Sequence, residues 1–389
     1  MRMSIFTGEN QFIGLQYPMK IRQLILFSSL LLAGCAQHDV QPLELCIGTY
    51  GSHYYRVTFL PDGTFSKAAP TDAVNASFVL PVGDDVVYAV SENDPHSGMA
   101  SYRGTERTAL NPEIGGSPCY LMQVDNLPYI FTADYMGGSV SVFATKDGVV
   151  GQRVQHIAYA GSGPVVGRQE KAHVHQLKTI PAALCARLGI KDEWLLATDL
   201  GCDSIHVLKV NRDASSDVLT DVPALGVALP AGSGPRHMEF NERNALLYCL
   251  SELSGEVLVW ALSASANGEP CFTPAQRLLA DDTHAGGSAD IHLHPNGRFL
   301  YTSHRLRDDG IVLFHVADDG LLTKVARTPT EDHPRHFLIT PDGRYILAAC
   351  RDGHCVQVFA VNSSDGTLTD TGTRLDVAPD GPVCVALHP

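Results

Sequence analysis

No long basic run occurs anywhere in the 389 residues, and charged residues make up 18% of them against 44% hydrophobic. Sparse charge with that apolar content excludes a disordered chain. A net charge of -14 with no basic cluster excludes nucleic acid as a main partner. The ten cysteines form no CxxC, no CxxCH and no zinc-finger spacing. Covalent haem, thioredoxin-type redox chemistry and four-cysteine zinc sites are thereby excluded. A P-loop, a GxGxxG after a strand and a GxSxG elbow are also missing. The 35 Gly and 23 Pro are dispersed, so they punctuate turns and do not build linkers.

The apolar stretch Leu24–Leu32 is too short to span a bilayer as a helix, but it suits the core of a signal peptide. Lys20 and Arg22 precede it, and Leu32-Ala33-Gly34-Cys35 follows, which resembles a bacterial lipobox with Cys35 as the lipidated residue. An ordinary cleaved signal is the alternative. Met19 sits where such a signal begins, so the true start reads as Met19. Removing residues 1–34 takes away Arg2, Lys20, Arg22 and Glu9, which leaves -16 over 355 residues. The expectation is a protein of the cell envelope, lipid-anchored at Cys35 on its periplasmic or outer-membrane face. The cytoplasm is expected if the signal is not used. Nine cysteines remain besides Cys35, an odd number, and they are expected to be mostly buried small apolar residues.

Beyond a short linker at residues 36–44 the chain repeats. Pro295-Asn-Gly-Arg-Phe-Leu-Tyr-Thr-Ser-His-Arg305 and Pro341-Asp-Gly-Arg-Tyr-Ile-Leu-Ala-Ala-Cys-Arg351 lie 46 residues apart, each a turn followed by an apolar strand. Segments such as Ser139–Phe143, Glu256–Trp260 and Cys355–Phe359 follow with period-2 alternation. The repeated units place a first register at Asn75, Cys119, His175, Arg236, Ala289, Arg335 and Val383. A second register falls at Thr49, Glu92, Asp134, Asp199, Glu252, Arg305 and Arg351. Seven copies of about 50 residues with four strands each predict an all-β, seven-bladed β-propeller over residues 45–389. A length prior of two or three domains gives way to one. Val383 lacks a downstream partner and Thr49 an upstream one, so the N- and C-terminal strands should share a blade and close the ring. An insertion around Ala183–Asp192 should lengthen one hairpin loop. Both registers fall on one rim of the channel, and the second reads as a charged ring.

The motifs Lys171-Ala-His-Val-His175, Asp199-Leu-Gly-Cys-Asp203, Gly232-Ser-Gly-Pro-Arg-His237, Ser251-Glu-Leu253, Gly297–Arg305 and Pro382-Val-Cys384 resemble, in order, those of the seven-bladed lactonase family. That family includes bacterial propeller-type 6-phosphogluconolactonase and fungal carboxymuconate cyclase. The resemblance covers about residues 45–389 and implies a small-molecule lactone substrate with no cofactor and no metal. It implies a catalytic set of His175, Arg236, Glu252 and Arg305, with His304 where the family often has Asn. His173, Arg168, His237 and Arg335 are the accompanying candidates for substrate binding. Arg335-His336 repeats the pair Arg236-His237, and Arg168-Gln169 resembles the RQ that precedes the family's HxH. A metal held by His173 and His175 would need a third ligand, and none is evident.

Lactone hydrolysis requires an activated water and a stabilised oxyanion. Glu252 or His175 is the expected base, Arg236 the expected oxyanion partner, and Arg305 the expected holder of a substrate carboxylate or phosphate. Three functions stay open on sequence alone. They are a 6-phosphogluconolactonase-like hydrolase, a muconate-cyclase-like intramolecular lyase or isomerase, and a non-catalytic surface propeller that binds carbohydrate or protein. The four-residue set argues against the last, and the leader argues against a cytoplasmic phosphorylated substrate. The protein is expected to be a monomer, meeting the membrane only through its N-terminal lipid.

Overall fold

The computed structural model describes residues 41–388 except 84, 113 and 114. The leader, with Met19 and Cys35, lies outside the described residues. Seven antiparallel sheets make up the fold. Their first strands are Val79–Val82, Pro118–Gln123, Val174–Thr179, Pro235–Asn241, Ser288–Leu293, Pro334–Ile339 and Pro382–Leu387. These touch one another in a closed ring around the channel. Pro382–Leu387 pairs with Leu43–Thr49, so chain start and chain end complete one blade, numbered 1 here. The propeller therefore begins two residues before the expected Leu45. Closure leaves the first strand no open edge toward the last.

Middle strands are buried on both faces because each blade is sandwiched between two neighbours. Val257 and Val259 of blade 5 pack with Ile291, Leu300, Val312 and Phe314 of blade 6. Each such side chain, fully buried, contributes roughly 1.5–3 kcal/mol. An outermost strand such as Leu322–Pro329 alternates buried and exposed positions instead, as a half-solvated strand must.

Two local expectations are corrected. The insertion in blade 4 is a helix, Ala182–Leu188, and not a loop extension. Its Ala, Leu and Arg content favours helix. Leu184 and Cys185 bury against the core shared by blades 4 and 5, and Gly189 ends the helix at φ 76°. Blade 4 also carries five strands, because Leu219–Asp221 and Val227–Ala228 both pair with Ser204–Val210 around a short 3-10 turn.

The site depends on how the first two strands of each blade pair. In six blades the register shifts near the start of the first strand. One residue stands extra there, and it is Cys119, His175, Arg236, Arg335 or Val383, with Ala289 in the wider shift of blade 6. A bulge of this kind re-aims its side chain, here toward the channel. The N–H just past the second strand then bonds back two residues before the bulge, as in Glu252 to Gly234 O, Arg305 to Gly287 O and Arg351 to His333 O. The same bond runs from Tyr50 to Gly381 O, Glu92 to Asn75 O, Tyr135 to Ser117 O and Leu200 to His173 O. The true second register is therefore Tyr50, Glu92, Tyr135, Leu200, Glu252, Arg305 and Arg351. Thr49, Asp134 and Asp199 lie one residue early, and Asn75 of the first register gives way to Ser77.

Candidate active site

A cavity of about 370 Å³ opens at this rim of the channel. Six of its lining residues come from the corrected second register: Tyr50, Glu92, Tyr135, Glu252, Arg305 and Arg351. His175 and Arg335 join from the bulges, Arg168 from the segment before blade 4, and Leu306 and His333 from the rim loops.

Glu252 organises one wall. Its Oε1 accepts from Arg168 at 2.6 Å and pairs with Arg305 at 3.0 Å. Its Oε2 lies 2.9 Å from Arg236 Nε as an ion pair whose N–H points off the contact line. Burial alone would raise the Glu252 pKa, yet Arg305, Arg236 and Arg168 bring it down to about 2. Burial likewise pulls the Arg305 guanidinium down to about 9, against the pull of Glu252. Arg305 is spread between three acceptors, since its Nε donates to Gly287 O at 3.1 Å and its NH1 faces His333 Nε2 at 3.1 Å.

Backbone motifs hold this wall in place. The carboxylate of Asp203 accepts from Gly232 N, Gly234 N and Gln169 Nε2, each at 2.7 Å. Asp203 thereby ties the Arg168-Gln169 segment to the loop that delivers Arg236 and bonds Glu252. Gly234 adopts φ 62°, and a Cβ there would lie 2.5 Å from Leu253, so this turn requires glycine.

His175 is the neutral member. Burial first, then Arg236, His237, Arg335 and Arg305, hold its pKa well below the usual histidine value. Its Nδ1 is buried without a partner among the described residues, and the residue lines the cavity. The ring is fixed by edge contacts to Tyr135 and His237, at 5.7 and 5.2 Å between centroids.

Three of the expected site residues are not among those that line the cavity. His173 does not line the cavity. It stacks on Tyr135 at 4.4 Å and donates from Nδ1 to Tyr135 O at 2.8 Å, so it supports that ring from behind. His237 lies deeper, its Nδ1 donating to Asp290 Oδ1 at 2.6 Å, and its neutral Nε2 faces Arg236 NH1 at 3.4 Å. Arg236 itself is 2% exposed and pairs with Glu252 without lining the cavity. Arg168 and Arg335 do reach the cavity. Arg335 stacks over Tyr50 at 5.1 Å and lies 3.8 Å from Glu92.

The charged ring divides in two. Asp134 accepts from Thr132, Ser139 and Ser141 hydroxyls at 2.6–2.9 Å, and Asp199 from the amides of His173, Gly201 and Cys202 at 2.8–3.1 Å. Both serve local structure. Tyr50, Glu92, Tyr135, Leu306, His333 and Arg351 line the cavity without having been expected as site residues, although Glu92 and Arg351 stand in the second register and a tyrosine directly follows both Thr49 and Asp134. His304 is buried, held by Ser288 and Thr302 at 2.9 and 2.7 Å.

Deeper in the channel, Asp290, His292 and His336 bring three potential ligand atoms within 4.8 Å. His336 Nδ1 accepts the Val385 N–H at 3.3 Å, so its Nε2 carries the proton and has no lone pair for a metal. Burial holds His336 neutral by lowering it to about 4. In contrast Asp290 and Glu239 overcome burial and raise His292 to about 9, so the cluster is a balanced set of ion pairs. The nine described cysteines are free thiols, seven of them buried.

Comparison with known proteins agrees with this architecture. The family described as "Lactonase, 7-bladed beta-propeller" matches residues 44–387. A 6-phosphogluconolactonase of Bacillus subtilis (strain 168) is 31% identical over 311 residues, covering 77% of this chain and 83% of that protein. A solved propeller from Bacteroides uniformis superposes with a TM-score of 0.78 at 35% identity, over 90% of this chain and all of that one. The periplasmic gluconolactonase of Pseudomonas aeruginosa superposes equally well, with a TM-score of 0.78 at 26% identity over 89% of this chain and 99% of that one.

Proposed function

Because the chain belongs to the seven-bladed β-propeller lactonase family, we propose that it hydrolyses a sugar lactone in the channel cavity. The observation that carries this reading is one cavity holding a neutral imidazole beside guanidinium groups fixed by Glu252. Water attacks the lactone carbonyl while His175 Nε2 takes its proton. Arg305 and Arg168 face the oxygen that becomes negative, in a buried setting where such contacts count for most. When the tetrahedral adduct collapses, the ring C–O bond breaks and the imidazolium returns its proton to the departing alkoxide. The product is a hydroxy acid. We assign Glu252 to holding the arginines and not to proton transfer, since both of its oxygens are already engaged by Arg168, Arg305 and Arg236.

The purified chain should hydrolyse at least one of 6-phosphoglucono-1,5-lactone, glucono-1,5-lactone or a carboxylated lactone, read by acid release. A panel with no turnover would sink the reading. Cyclisation of a muconate substrate instead would favour the lyase alternative, which draws on the same residues.

We place the protein in the cell envelope, lipidated at Cys35. This is supported by the lipobox-like segment and by the likeness to a periplasmic gluconolactonase. An unphosphorylated aldonolactone suits that compartment better than a cytoplasmic phosphate ester. Labelled palmitate should enter the chain in cells and be lost in Cys35→Ser; equal labelling of both would refute the anchor.

A further inference from the structure

Two glutamates share the second register, three blades apart in a ring of seven, so they face each other across the channel. Glu252 of blade 5 is saturated by arginines, whereas Glu92 of blade 2 is not. Glu92 Oε2 accepts the Tyr50 hydroxyl at 2.6 Å. Its Oε1 has Arg335 NH2 as nearest cation at 3.8 Å, beyond hydrogen-bond length, and no other side-chain donor among the described residues. Burial keeps the Tyr50 phenol protonated, so it donates and fixes the carboxylate orientation. The Glu92 side chain is 13% exposed and lines the cavity, so its remaining acceptor points into substrate space.

A carboxylate oxygen in such a place is complementary to a donor and repels an anion. A lactone ring offers donors only through its hydroxyls. We propose that Glu92, seated by Tyr50, reads a hydroxyl of the substrate and so selects polyhydroxylated lactones over bare ones. Arg335, stacked on Tyr50 beside Glu92, offsets the carboxylate charge without occupying Oε1. A site built to bond a hydroxyl rejects a ligand lacking it far more strongly than an apolar pocket does. This assignment rests on the lactonase reading for the kind of ring bound.

Calorimetry with two non-hydrolysable rings, glucono-δ-lactam and δ-valerolactam, tests it on the full chain. The wild type should bind the hydroxylated lactam at least tenfold more tightly. Glu92→Ala should weaken that lactam by about 10- to 100-fold, as for loss of a hydrogen bond to a charged group, and leave δ-valerolactam unchanged. Glu92→Gln, which keeps the shape, should show a smaller loss of the same sign. A wild type without preference, or variants that keep it, would overturn the proposal. So would variants that bind both rings normally but lose hydrolysis, since Glu92 would then be a general base. Hydrolysis by the wild type is read separately, so a failed lactonase reading is told apart from a failed role for Glu92.

Discussion

Replacing Glu252 with glutamine should reduce lactone hydrolysis by at least a thousandfold and destabilise the fold by about 3–5 kcal/mol, as for removal of one partner of a buried pair. The reason is what remains behind. Arg168, Arg236 and Arg305 converge on that one carboxylate within 3.0 Å, and Arg236 and Arg305 are 2% and 5% exposed. Without the counter-charge they repel one another in a desolvated pocket, and the lining arginines lose the position from which they meet an oxyanion. An exposed pair is the control: Arg277 meets Glu256 at 2.7 and 2.9 Å, yet its side chain is 56% exposed. Arg277→Gln, which removes the charge of the exposed partner, should therefore shift stability by no more than about 1 kcal/mol. The pH dependence has a definite sign. Glu252 has a folded pKa of about 2 against an ordinary 4.5. Its stabilisation is complete above 4.5 and is lost as pH falls through 2. Urea midpoints and kcat/KM of the two variants decide the matter, and a Glu252→Gln protein with the wild-type midpoint and rate would refute it.

Much of this arrangement is legible in the sequence. The Pro-Asn-Gly-Arg and Pro-Asp-Gly-Arg turns fix the repeat, and the unpaired Val383 and Thr49 registers foretell the shared blade that Pro382–Leu387 and Leu43–Thr49 form. His175, Arg236, Glu252 and Arg305 stand out by motif, and the structure brings them into one arc of blades 4 to 6. What sequence could not supply is the depth of each side chain. Counting residues aligns acidic side chains with one another, and so matched Asp134 with Glu252. Hydrogen bonding matches Tyr135 instead, because the bulge, and not residue type, sets which position faces the channel. The same bulge separates Arg236 from His237. Neighbours in sequence, they engage different partners: Arg236 meets Glu252, whereas His237 donates to Asp290.

The second large effect concerns His175. His175→Ala should lower kcat by about 10²–10⁴-fold, the range for loss of a positioned general base, while leaving KM within a few-fold. Unlike the histidine of a hydrolytic triad, this ring has no carboxylate partner among the described residues, where its Nδ1 is buried without a hydrogen bond. Burial and the surrounding arginines therefore keep it neutral far below the usual histidine pKa. The sign follows directly. A base whose pKa is depressed stays in its active, unprotonated form as pH falls, so the acid limb of kcat/KM should lie well below pH 6.5 and not at it. Folding must be monitored in parallel, because the same depression means that acid favours the unfolded chain. The two effects separate by measurement: a pH-jump assay, read before unfolding proceeds, reports the catalytic limb, and equilibrium fluorescence reports stability. Turnover that falls with a midpoint near 6.5 in folded protein would mean that the base is an ordinary, solvated histidine and not His175. A His175→Ala protein with unaltered kcat would remove it from the chemistry and leave water activation to another wall of the cavity.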